Sequence, residues 1–191
     1  MSTFKIPGFY PIVDDALLQL HRVIAGRFAE ELNAAGVTLL QYRNKAGGPQ
    51  TILRDSAVIW EAFAGSGCRL MLNDHADLVA LAGFDGVHVG HEDLSPEDAR
   101  RIVGPNRWIG VSTHTEEQVR VADSSCADYV AVGPVFATGT KLDAEAVIGL
   151  EGVRLARVLT RKPIVEKLNI GAAREYPLVQ PFVIFSLYGW S

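Results

Sequence analysis

The chain has little cysteine, no long apolar run and no excess of positive charge, and each shortage removes a class of function. Two cysteines in 191 residues, Cys68 and Cys126, are too few and too far apart for a disulfide framework or a zinc site. Both are expected to be small buried apolar residues. No run approaches the ~20 apolar residues of a membrane span, and residues 1–15 carry Lys5 but no continuous apolar stretch of signal-peptide length. A cytoplasmic protein with no membrane partner is expected. Lys and Arg number 18 against 22 Asp and Glu, for a net charge of −4, so no basic stripe is available to hold nucleic acid. Gly139-Thr140-Lys141 lacks the spacing of a nucleotide-binding phosphate loop. A convincing Ser-His-Asp or Cys-His set for covalent catalysis is also missing.

What is present is a regular alternation. Apolar runs suited to strands occur at 9–13, 37–42, 69–72, 86–89, 108–111, 129–135 and 163–165, with helix-period segments between them. That order predicts βαβ units and an α/β fold, a (β/α)8 TIM barrel. One long helix is expected over 17–35, ending at Gly36. Ser95-Pro96-Glu97-Asp98 reads as a capped helix start, and Thr115 with Gln118 as a capping box. Asp-containing turns, Gly83-Phe84-Asp85-Gly86 and Cys126-Ala127-Asp128, precede two of the strands.

The pattern weakens after Val165. Glu166-Lys167-Leu168-Asn169 places charge where a buried strand should finish, and Pro177 and Pro181 interrupt the approach to an eighth strand at 182–187. A length of 191 residues is also short for this fold, which typically takes ~250. We therefore expect one barrel-like domain over 1–191 with a divergent tail at 166–191, incomplete or perturbed at its seventh and eighth βα units. Its open edges on strands one and seven would need a partner, and a homo-oligomer is one way to provide it.

Five of the apolar runs end in polar clusters, and a parallel barrel gathers such strand ends on one face. Arg43, Lys45 and Lys141 would converge there with Asp74 and Asp93. Three cations beside two carboxylates suit a diphosphate with Mg2+, the carboxylates holding the metal and the cations neutralising phosphate oxygens. Each residue also has a plainer reading. Lys45 can belong to a solvated loop, Asn73 can cap a helix beginning near Ala76, Asp93 can serve a helix start, and His88 can be an interior barrel residue.

Six stretches carry a family resemblance: residues 10–14 (YPIVD), 36–45 (GVTLLQYRNK), 72–77 (LNDHAD), 85–94 (DGVHVGHEDL), 109–115 (IGVSTHT) and 128–143 (DYVAVGPVFATGTKLD). In this order they resemble the motif set of thiamine-phosphate synthases. The resemblance implies a transferase that joins hydroxymethylpyrimidine diphosphate to thiazole phosphate, releasing diphosphate by a dissociative displacement. It implies that Gln41, Arg43 and Lys45 bind the pyrimidine diphosphate, that Asn73 and Ser112 orient it, and that Asp74 and Asp93 hold Mg2+. Thr138 and Thr140 would contact the thiazole phosphate. Lys141 and Arg43 would carry the leaving-group charge. The Gly-Gly turn that the family places after its seventh strand is absent here, where the corresponding stretch reads Val165-Glu166-Lys167-Leu168-Asn169, and Ser186 is a faint echo of the family's last strand end. A reading-frame change or a recombined tail would leave such a break. With the glycine pair absent, diphosphate binding is expected to survive while thiazole-phosphate binding weakens. Two alternatives follow: a chain that binds diphosphate without turnover, and a thiazole tautomerase with His114 as acid or base, which would not need the Asp74 and Asp93 pair.

Overall fold

The computed structural model describes residues 6–135, 147–169 and 183–186. Seven strands run parallel and in chain order: β1 (Phe9–Asp14), β2 (Leu39–Arg43), β3 (Arg69–Asn73), β4 (Gly86–Val89), β5 (Trp108–Thr113), β6 (Tyr129–Val132) and β7 (Ile164–Asn169). The helices are α1 (Asp15–His21), α2 (Ala25–Ala34), α3 (Pro49–Ala62), α4 (Pro96–Val103), α5 (Glu116–Ser124) and α6 (Gly149–Leu159). None of them is long and apolar enough to cross a membrane.

The curled sheet closes through a segment of opposite direction. β8 (Val183–Ser186) pairs antiparallel with β1, Tyr10 opposite Phe185, and antiparallel with β7, Lys167 opposite Phe185. The described residues thus form seven like-directed strands and one reversed strand, not eight repeated βα units. The expected open edges are paired within the chain. Because β8 runs backwards, Ser186 lies level with Phe9 at the start of β1, at the opposite end of the barrel from the strand-end clusters.

Three further expectations change. The helix expected over 17–35 is split, because Arg22 takes a left-handed conformation (φ 55°) and its N–H turns back to Gln19 O. After Asn73 the chain makes successive turns rather than a helix, closed by His75 N–H on Asn73 O and Ala76 N–H on Asp74 O, both 2.9 Å. Asn73 therefore ends β3 and caps nothing. β7 continues through Glu166 and Lys167 to Asn169, since β6 and β8 flank it and satisfy its backbone.

Two apolar layers hold the elements. Between sheet and helices lie Val13, Leu40, Ile52, Ile59, Val87, Val111 and Val130 with their neighbours; inside the barrel lie Tyr10, Ile12, Leu39, Met71, Tyr129, Ala131 and Val165. The large Tyr129 ring fits because β5 carries Gly110 beside it: a Cβ there would meet the ring at 2.0 Å. Local chemistry sets the helix starts. Ser95 Oγ accepts the Asp98 N–H at 3.1 Å with Pro96 at the first helical position. Thr115 Oγ1 accepts from Gln118 N–H at 3.2 Å, while the Gln118 amide oxygen reaches back one residue further than a capping box, to His114 N–H at 2.6 Å.

The two Asp-containing turns form a repeated clamp at the N-terminal ends of the strands. Asp85 N–H donates to Leu70 O at 2.8 Å and its carboxylate accepts Leu70 N–H at 2.9 Å. Asp128 does the same with Ile109, at 2.7 Å in both directions. Arg69 and Arg100 pair with the two carboxylates at 2.6 and 2.8 Å. The cysteines do not fill core positions as expected: Cys126 is exposed and Cys68 is half-buried, with burial pushing its thiol up to about 12.

Asp128→Ala leaves the buried Ile109 N–H without its carboxylate and should cost about 1–3 kcal/mol, read from denaturant midpoints; an unchanged midpoint would show that the clamp carries no stability. Glu166 is only 7% exposed, and burial raises its carboxyl above the usual 4.5. A raised carboxyl costs nothing below that value and destabilises the fold as pH rises through the folded-state value. Glu166→Gln should therefore be more stable than the parent at pH 8, with the difference fading towards pH 4. A gain that persists at pH 4 would exclude ionisation as its cause.

Candidate active site

The C-terminal strand ends carry the side chains singled out in the sequence. Arg43 closes β2, and its guanidinium donates to the Asp14 carboxylate at the end of β1. Asp14 is itself fixed, because its other oxygen caps α1 by accepting from Ala16 N–H at 3.0 Å and Leu17 N–H at 3.3 Å. The register places Asp14 directly opposite Arg43, so one carboxylate ties the helix start to the cation.

Lys45 lies on the loop after β2. Asn44, buried beneath it, shapes that loop: its amide donates to Tyr42 Oη at 3.1 Å and its oxygen accepts Gly47 N–H at 2.7 Å. From there Lys45 Nζ reaches Asp74 Oδ2 at 3.1 Å. Asp74 takes a left-handed conformation (φ 66°), tolerated by Asp better than by most residues, and its N–H donates to His88 O at 2.8 Å. That turn aims its carboxyl towards Asp93. Burial, followed by hydrogen bonding with Asp93, holds the Asp74 carboxyl above the usual carboxylate range, and Lys45 opposes the shift. Asp93 sits before the α4 cap rather than in its first turn, anchored by Gly90 N–H to Oδ2 at 2.9 Å. The structure thus joins Asp74, Asp93 and Lys45 and sets Arg43 on the neighbouring strand. Thr138, Thr140 and Lys141 lie outside the described residues.

Below this rim a chain of hydrogen bonds crosses the barrel interior. Gln41 Nε2 donates to Tyr10 Oη at 3.1 Å, and Tyr10 Oη meets Tyr129 Oη at 3.0 Å. Tyr129 Oη meets His88 Nδ1 at 2.9 Å, His88 Nε2 meets Ser112 Oγ at 2.9 Å, and Lys167 Nζ donates to Ser112 Oγ at 2.5 Å. Six strands contribute one residue each. With Gln41 donating into Tyr10, the bonds run in one direction if Tyr10 donates to Tyr129, Tyr129 to His88 Nδ1, and His88 Nε2–H to Ser112. Ser112 then accepts twice and keeps its own proton to offer. Gln41 Oε1 is buried with no hydrogen-bond partner among the described residues. Asn73 is buried at the end of β3 and its side chain makes no hydrogen bond to another described residue.

His88 is an interior residue, 3% exposed, and burial followed by the Lys167 charge lowers it to about 3. It is neutral in the fold at physiological pH. His114 is differently held: its Nδ1–H donates to Gly133 O and its backbone N–H to Gln118.

Sequence reasoning missed Asp14 and Asn44 as residues that position Arg43 and Lys45. The signal for Asp14 was its place directly after an apolar run, as with the other clusters. Lys167 was read as a misplaced charge, and its alternation with Val165 was the clue to an inward direction.

A lowered imidazole stabilises the fold fully above its unfolded value of 6.5, and that contribution is lost as pH falls towards 3. His88→Gln should therefore lose less stability than the parent between pH 6.5 and pH 4, by on the order of 3 kcal/mol. Parallel stability curves for the two proteins over that range would show that His88 does not resist protonation.

Comparison with known proteins identifies relatives of the chain. The family model described as thiamine monophosphate synthase matches residues 9–173. The thiamine-phosphate synthase of Koribacter versatilis is 48% identical over 166 residues, 86% of this chain and 78% of that one. That of Caldicellulosiruptor saccharolyticus is 40% identical over 144 residues, 75% of this chain and 64% of the relative. The chain thus spans between two thirds and four fifths of the first of these relatives and slightly under two thirds of the second. Among solved structures, the thiamine phosphate pyrophosphorylase of Pyrococcus furiosus superposes with a TM-score of 0.70 at 28% identity, covering 82% of this chain and 72% of that one. A family match over most of the sequence, near-half identity to a relative and a shared fold lead to one conclusion: the chain belongs to the thiamine monophosphate synthase family.

Proposed function

We propose that the protein is a thiamine-phosphate synthase, coupling hydroxymethylpyrimidine diphosphate to thiazole phosphate with release of diphosphate in the cytoplasm. The observation that carries the reading is the meeting of Asp74 and Asp93 beside Lys45, one strand from Arg43, at the mouth of the barrel. Burial first, and then the hydrogen bond with Asp93, hold the Asp74 carboxyl above the usual carboxylate range, and the Asp93 charge adds to the shift. Their hard oxygen donors suit Mg2+, with no thiolate or imidazole in the set. Bound there, Mg2+ supplies charge neutralisation for the diphosphate.

The protein's own residues complete that neutralisation. Arg43, held in place by Asp14, and Lys45, held by Asp74, bring two further cations to the leaving group. The family resemblance adds Lys141 on the same diphosphate, with Thr138 and Thr140 on the thiazole phosphate. Gln41 joins Arg43 and Lys45 in binding the pyrimidine diphosphate, Asn73 and Ser112 orient it, and Asn73 and the Ser112 hydroxyl retain capacity for a ligand. The CH2–O bond breaks with its electron pair leaving on the diphosphate oxygen, and the electron-rich aminopyrimidine spreads the positive charge left behind. The thiazole nitrogen lone pair then forms the C–N bond. No protein nucleophile enters the sequence, so the residues' work is to place two substrates and stabilise charge.

Titration of diphosphate should show at least roughly tenfold tighter binding with Mg2+ than without it, and Asp93→Asn should erase most of that gain. Equal affinity in the two conditions would sink the metal assignment.

A further inference from the structure

We propose that Tyr42 and Asp55 are positioning residues for the diphosphate: acting through Asn44, they hold the loop after β2 so that the Lys45 ammonium stands at the mouth beside Asp74. The inference rests on the synthase reading for the ligand that Lys45 meets.

Three observations carry it. The first is that Lys45 depends on its loop: its side chain is 53% exposed, so a flexible stem is set less by packing than by the backbone that carries it. The second is a row of hydrogen bonds that fixes this backbone from outside the barrel. Gly47 N–H donates to Asn44 Oδ1 at 2.7 Å, enclosing Lys45 and Ala46 in a tight turn. Asn44 Nδ2 then donates to Tyr42 Oη at 3.1 Å, and Tyr42 Oη donates to Asp55 Oδ2 at 2.8 Å. All three bonds point the same way and end on a carboxylate, so each strengthens the next. Alternation along β2 turns Tyr42 away from the interior that receives Gln41 and into the layer between sheet and helices, where it is fully buried. Burial raises its hydroxyl above the usual 10, so it remains a donor to Asp55. Asp55 lies in the second turn of α3, and the helix that follows the loop therefore holds the far end of the row. The third observation is close fit. A Cβ at Gly47 would lie 2.6 Å from Asn44 Nδ2 and 2.8 Å from its Oδ1, and an amide held by two bonds is not free to step aside. The turn has one height above the strand end, and from that height Lys45 Nζ reaches Asp74 Oδ2 at 3.1 Å. Tyr42 and Asp55 act on the diphosphate only through the cation they place.

The test uses the full chain and two readouts. Without ligand, amide exchange at Gly47 should quicken at least about fivefold in Tyr42→Phe, which keeps the ring and removes the hydroxyl. In calorimetric titration, the same variant should bind diphosphate with Mg2+ about three- to tenfold more weakly, the range of one hydrogen bond. That loss should shrink to within about twofold when Tyr42→Phe is combined with Lys45→Ala, and persist when it is combined with Arg43→Ala, because the hydroxyl acts through the lysine alone. Lys45→Gln replaces Lys45→Ala in the cycle if the alanine variant binds too weakly to titrate. Asp55→Ala should behave like Tyr42→Phe, while Asp55→Asn, which keeps an acceptor for the hydroxyl, should retain most of the affinity. If Tyr42→Phe does not unfold cooperatively, Gly47→Ala takes its place in the titrations, since it disturbs Asn44 and alters no core residue. Unchanged affinity in Tyr42→Phe overturns the proposal. So does an equal loss with Lys45 already removed, which marks Tyr42 as a prop for the whole mouth. Unchanged exchange at Gly47 overturns it as well, as does a parent chain that binds no diphosphate with Mg2+. The expected coupling in a chain that forms no product supports this inference and sinks the synthase reading alone. Product formation with Tyr42→Phe unaltered in both readouts does the reverse.

Discussion

The hydrogen-bond chain inside the barrel is the constraint on which the rest of the structure depends. A tyrosine hydroxyl or an imidazole removed from water must find a partner, and the cost of leaving one unmet is about 1–3 kcal/mol. Here Gln41, Tyr10, Tyr129, His88, Ser112 and Lys167 meet that demand together, one from each of six strands. Strand register is thereby set from within, because a slip of one residue would turn any of these groups outward and strand its neighbours. The same register carries the strand ends to fixed heights, so Arg43, Asn73 and Lys167 reach the mouth as a consequence of interior bonding.

The two ends of the barrel divide the labour. At the N-terminal ends of the strands, Asp85 and Asp128 close backbone clamps with Leu70 and Ile109, each backed by an arginine. At the C-terminal ends the same residue type does the opposite. Asp74 is held in a left-handed turn and directed at Asp93, a juxtaposition of two carboxyl groups that Lys45 partly offsets. Asp14 belongs to both kinds, since one of its oxygens caps a helix and the other holds a cation at the mouth.

Much of this was legible in the sequence because it is local. Ser95 before Pro96 and Thr115 before an acidic turn cap helices through bonds that span three residues, and alternation along β2 separates Gln41 from Leu40. What escaped was long-range or directional. Period-two alternation reads the same forwards and backwards, so the segment now seen as β8 gave no sign that it runs antiparallel. The break at Arg22 depends on one residue adopting a left-handed turn inside a helix-period pattern, and the turns after Asn73 interrupt an Ala- and Leu-rich stretch. Charge in β7 looked like an error because the space above Gly133, which lets Lys167 lie inside, is a property of the residue that follows β6, 34 positions earlier. Arg43, Lys45, Asp74 and Asp93 were easier to see, since each lies in a polar cluster that follows an apolar run; their grouping came from the barrel, and Asp14 and Asn44 entered only once side-chain partners were known.

The aspartate clamps bear on how the chain tolerates change over generations. Because Asp85 and Asp128 secure the sheet from the end remote from the mouth, a substitution in a mouth loop is not also a substitution in the element that keeps the strands together. Most mutations cost stability, and a lineage can accept altered chemistry only while some reserve remains. A reserve stored at the far end is not spent when the mouth is rewritten. Drift in the loops can then proceed one residue at a time, each intermediate still folded, and the scaffold acts as a ratchet that lets new specificities be tried without first being rebuilt.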